Sequence, residues 1–139
     1  MNLDDVAYLF VEQYENIHGF YSEEYKRSDV DLIRRTAERG ESALYTLAAT
    51  LFANRLDDVL VGAANGAMDY IAYVDETWVP ENAEDKVKTL ALEAKHLESL
   101  EAILRMAQLT ESGVAKEIES IMAVAKIHYQ KLEEREIGI

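Results

Sequence analysis

Hydrophobic positions recur along this chain with helical spacing from one end to the other. Apolar or aromatic residues stand at Leu3, Ala7, Phe10, Tyr14, Ile17, Tyr21 and Tyr25, at intervals of four and three and finally of four. Such intervals return side chains to one face of a helix. The same intervals recur at Leu56, Leu60, Ala63, Ala67, Tyr70, Val74 and Trp78, so the stripe repeats 53 residues on. The start signal repeats too: Asn2-Leu3-Asp4-Asp5-Val6 returns as Asn54-Arg55-Leu56-Asp57-Asp58-Val59. A stripe and start signal that return together predict a duplicated helical hairpin.

Start and stop signals divide the pattern into five helices. The first runs from Leu3 to Tyr25, with Asn2 capping and Asp5 as its capping-box partner. Ser28 with Asp31 opens the second, Asp29 to Ala53, striped at Ile33, Ala37, Gly40, Leu44, Leu47 and Leu51. Asn54 with Asp57 opens the third, Leu56 to Trp78, which ends before Pro80 because a residue preceding proline avoids the helical region. Asn82 with Asp85 opens the fourth, Ala83 to Leu109, and Thr110-Glu111-Ser112-Gly113 breaks it. The fifth, Val114 to Arg135, carries Val114, Ile118, Ile121, Ala125, His128 and Leu132. Short connectors make sequential helices antiparallel. The expected fold is therefore all-α: an up-and-down antiparallel bundle of five long helices, a duplicated hairpin plus one, in a single domain over residues 1–139.

Two helices carry more apolar surface than one stripe needs. The fourth has Leu90, Ala94, Leu97 and Leu104 on its main face, with Leu92, Leu100, Ile103 and Ala107 around 120° away at about 100° per residue. The second adds Tyr45, Ala48 and Phe52. Central placement in the bundle would use these faces; so would self-association, and a homodimer is expected through them. Glu101 and Gln108 on the fourth stripe, and Thr36 and Asn54 on the second, are the polar intrusions into the expected core.

Composition narrows the partners. A net charge of −13 opposes nucleic acid and anionic membrane surfaces and leaves a protein partner or a metal cation. The absence of cysteine removes disulfides and thiolate chemistry. No apolar run is long enough to span a bilayer, and the first residues lack the basic region of a signal peptide, so a cytoplasmic location is expected.

Candidate chemistry rests on Glu15-x-x-His18 and Glu93-x-x-His96, whose spacing puts a carboxylate and an imidazole on one helix face. The run Glu93-Ala-Lys-His96-Leu-Glu-Ser-Leu resembles the fourth-helix signature of ferritin-like and rubrerythrin-like proteins. That resemblance implies a carboxylate-bridged iron or manganese pair, held here by Glu15, His18, Glu41, Glu93 and His96. The chain departs from the family pattern: Glu38 and Glu41 have no His three residues on, and Asp69 and Glu76 lie off the third stripe. The wheel places Glu93 about 60° from the main stripe of its helix, which predicts a solvated side chain. Glu38-x-x-Glu41 with Arg55-Leu56-Asp57-Asp58 resembles the all-helical nucleotide pyrophosphatases, which hold magnesium with paired acids, but Arg55 stands where a metal-binding Glu is needed. With no catalytic residues assigned, the expected function is a non-enzymatic protein-interaction or regulatory subunit without a cofactor; the alternative is the di-metal oxidoreductase or storage protein.

Overall fold

The computed structural model describes residues 2–138. Six α-helices form among them, with no strand: α1 (Leu3–His18), α2 (Arg27–Ala37), α3 (Glu41–Phe52), α4 (Leu56–Thr77), α5 (Ala83–Leu109) and α6 (Ala115–Glu134). A short 3-10 turn, Ala53–Arg55, joins α3 to α4. The long helices α4, α5 and α6 pack mutually; α1 lies against α2, α4 and α5, and α2 and α3 pack together.

Two predicted helices are shorter than their stripes. The first ends at His18, where Gly19 takes a positive φ of 71° and its N–H closes onto the Glu15 carbonyl. Tyr21, placed in the core by periodicity, is fully out in solvent, and Tyr25 is half-buried. The predicted 29–53 helix is two helices, broken at Gly40 with φ 112°, a conformation that costs a side chain dearly.

Two of the four predicted side-chain caps form. The Asn2 and Asn82 side chains accept from the N–H groups of Asp5 and Asp85, at 3.4 and 2.8 Å. Neither Ser28 nor Asn54 caps: α2 begins behind Lys26 and α4 behind Arg55, both without a side-chain cap. Asp29 instead accepts from the Tyr14 hydroxyl at 2.8 Å, and Asp57 accepts from Ser112.

The core is built around α4. Val59, Leu60, Ala63, Ala64, Ala67 and Ile71 are buried on it, three of them alanines that leave room for neighbouring helices. Gly62 is the tightest approach, since a Cβ there would collide with the Gln13 side-chain amide. Against that surface α1 supplies bulk, with Val6, Leu9, Phe10, Val11 and Tyr14 buried.

The buried face of α5 is the one that looks surplus in the sequence. Leu100, Ile103 and Ala107 are fully buried, whereas Leu90, Ala94, Leu97 and Leu104 are half-buried and Leu92 is exposed. Phe52 is also buried, and Tyr45 half-buried. Enclosure of α5 by α1, α4 and α6 consumes this face, and Phe52 of α3 packs on Phe10 and Tyr14, so a homodimer cannot use Leu100, Ile103 or Phe52. Rotation of the core face also explains the polar positions. Glu101, Gln108 and Asn54 are exposed; of the four expected intrusions only Thr36 is buried.

Candidate functional site

The exposed tyrosines of α1 and α4 come together with the half-buried His96 of α5 on one side of the molecule. On α4, Gly66, Asp69, Tyr70 and Tyr73 share a face through three- and four-residue spacing. On α1, Asp5, Tyr8 and Glu12 do the same. A hollow of about 210 Å³ is lined by Asp5, Tyr8, Leu9, Tyr70 and His96. A second, about 360 Å³, is lined by Glu12, Gly66, Asp69, Tyr70 and Tyr73. Tyr70 borders both, so the hollows sit side by side at its ring, a groove in two parts. Gly66 sets its floor: a Cβ there would meet Leu9 at 3.2 Å.

The aromatic wall is fixed from below. The Tyr70 ring lies parallel to the His96 imidazole, 9° between planes and 4.8 Å between centroids. His96 Nδ1 is 2.9 Å from Glu93 Oε2, and Glu93 is only 2% exposed. The prediction that Glu93 is a solvated surface acid is therefore wrong. It sits seven residues before Leu100 on the buried stripe and anchors the imidazole that carries Tyr70. The Tyr70 hydroxyl is held above the usual tyrosine range by burial first, then by its hydrogen bond to Tyr8 and the charge of Glu12.

A second polar cluster closes one end of the bundle. Asp75 of α4, 5% exposed, meets His128 Nδ1 at 2.7 Å and Arg135 at 2.9 Å. Arg135 also donates to the backbone carbonyls of Asp75 and Trp78, the open end of α4. Lys86 donates to the Arg135 carbonyl at 2.9 Å, which brings the start of α5 to the same place. Every donor in this cluster that touches Asp75 is matched by one of its oxygens, as a helix-end clamp requires.

The five metal-ligand candidates do not gather. Glu93 and His96 pair with each other; Glu41 takes Arg105 at 2.8 Å; Glu15 accepts from Tyr25 at 3.3 Å. His18 packs its ring on Tyr14, 4.4 Å between centroids, and faces Glu24 at 3.9 Å. No group of three or more His, Asp or Glu side chains stands in metal-binding range among the described residues. Glu38 is exposed and lines a hollow with Asp4, Arg34 and Arg35, whose two guanidinium groups oppose a magnesium ion there.

Sequence reasoning missed both clusters. The tyrosine groove had one legible sign, Tyr73 beside Asp69 off the apolar stripe; Tyr70 reads there as a stripe residue, yet it is 40% exposed. Asp75 had none, because its partners lie 53 and 60 residues away. Comparison with protein-family models, curated proteins and solved structures found no match to this chain.

Proposed function

We propose that this chain is a non-catalytic protein-interaction subunit whose contact surface is the α1–α4–α5 groove. One observation carries the reading: Tyr8, Tyr70 and Tyr73 are 53%, 40% and 68% exposed and line two hollows that adjoin at Tyr70. Tyrosine is enriched at interface centres because it offers rigid apolar area and a polar tip. A homodimer through this groove would bring together two copies each of charge −13, which repel, so a different protein is the better occupant. We place that pairing in the cytoplasm, where a cysteine-free acidic chain suits the setting.

The architecture proposed with it is an up-and-down bundle, folded as one domain, grown from a doubled hairpin. Burial supports the doubling: Val6, Ala7, Phe10, Val11 and Tyr14 are buried, and so are Val59, Leu60, Ala63, Ala64 and Ala67, each 53 positions on. Superposition of the two halves with opposite crossing hands would rule it out.

The contact surface is tested by a photo-crosslinking phenylalanine analogue placed at Tyr73, and separately at exposed Glu119 on α6, in the native cell. A mass-identified adduct at 73 and none at 119 supports the reading; no adduct at 73, or equal adducts, removes it. Metal analysis of chelator-free protein covers the di-metal alternative, and about two equivalents of iron or manganese per chain would replace the interaction reading.

A further inference from the structure

We infer that the α1–α4–α5 groove takes arginine side chains from a basic segment of a protein partner. This rests on the interaction reading and goes further, to the chemistry of what is bound.

Three features converge on a guanidinium. The first is the aromatic surface: the stacked Tyr70–His96 pair and the exposed Tyr73 present flat rings at the groove wall. A planar cation is attracted to such faces and is less strongly hydrated than an ammonium, so arginine gains more than lysine. The second is charge. Asp5, Glu12 and Asp69 line the two hollows, and neither lining includes Lys or Arg. A carboxylate can take the edge of a guanidinium through paired hydrogen bonds while an aromatic ring takes its face. The third is rigidity. His96 is held by buried Glu93, so the platform exists before a partner arrives and less ordering is needed on binding.

The charge is confined to this groove. Beyond Tyr8, on the α2 side, the next hollow mixes Asp4 and Glu38 with Arg34 and Arg35, so its charges offset and it lacks the uniformly acidic lining. The whole-chain charge of −13 adds long-range attraction for a basic partner but no selectivity, and a test must separate the two.

The probes are three capped peptides, Arg-Ala-Arg-Ala-Arg and its lysine and citrulline counterparts, titrated into the labelled full chain and followed by amide NMR. The arginine peptide should give saturable shifts concentrated in residues 5–12, 66–73 and 92–96, with lysine weaker and citrulline weakest. Tyr73→Ala, on an exposed side chain that the fold does not need, should weaken the arginine peptide about five-fold. Tyr70→Ala should do the same or more, while Glu119→Gln on α6 should leave binding unchanged. Shifts spread evenly over the acidic surface, equal affinity for arginine and lysine, unchanged binding by Tyr73→Ala, or no saturable shift at millimolar peptide would each overturn the inference. A specific adduct at position 73 with no arginine preference would sink this inference and leave the interaction reading standing. Arginine binding with no adduct at 73 would remove the interaction reading and, with it, the protein partner inferred here.

Discussion

Single polar side chains carry a large share of this molecule's specificity. Tyr14 is one. The pKa of its hydroxyl is pushed up to about 12, first by burial and then by its hydrogen bond to Asp29 and that residue's charge. A group whose proton is held more tightly when folded stabilises the fold fully below its unfolded value of 10.0, and that contribution is lost as pH rises through about 12. The denaturation midpoint should therefore fall between pH 10 and 12, and Tyr14→Phe should flatten that fall while costing about 1 kcal/mol at neutral pH. Equilibrium urea unfolding at neutral and alkaline pH measures both. Asp75 is another. Asp75→Ala leaves Arg135 and His128 without their shared carboxylate and should cost about 3 kcal/mol, read as a drop in urea midpoint at constant slope. Neither partnership is legible in the sequence. Tyr14 belongs to a stripe there and Asp75 hides beside Glu76 on an acidic helix, because one chain's spacing reports a helix face and says nothing of what packs on it.

Helices are legible where the chain ends them with side-chain chemistry. Asn82 and its partner Asp85 mark the start of α5, and the predicted 83–109 span is the observed one. They are hard to read where a glycine ends them. Gly19 follows His18, a basic last-turn residue, which is itself a stop signal, but the continuing Tyr21 and Tyr25 stripe points the other way. Gly40 falls on a stripe although it breaks the helix. Gly40→Ala should accordingly cost about 1 kcal/mol, because alanine resists a positive φ even with open space around it. Gly113→Ala, at another helix junction with nothing within 4 Å and no positive φ, should be close to neutral. Thermal melts of the two variants side by side decide it. The groove is only half legible for a related reason: the spacing sets Tyr73 off the apolar stripe but puts Tyr70 on it, and the approach of Tyr8 depends on α1 crossing closely over Gly62 and Gly66.

At the scale of the whole molecule, charge and topology set the behaviour. With 27 acidic and 14 basic residues, self-repulsion opposes the compact state. Raising ionic strength from about 10 mM to 150 mM shortens the screening length to about 8 Å and should raise the urea midpoint, a trend opposite to that of a fold held by surface ion pairs. No helix among the described residues is long and apolar enough to cross a membrane. The clamp at Asp75 and Arg135 has a consequence of its own. It ties the end of α4, the start of α5 and the end of α6 at a single point, while α2 and α3 are joined through Gly40 and have no such knot. Backbone amides of α4, α5 and α6 should therefore exchange with solvent deuterium together, at the cost of global opening, while those of α2 and α3 exchange earlier through a local one. The molecule behaves as a slow-opening trunk with a fast-opening flap, and the α4 and α5 walls of the tyrosine groove belong to the trunk.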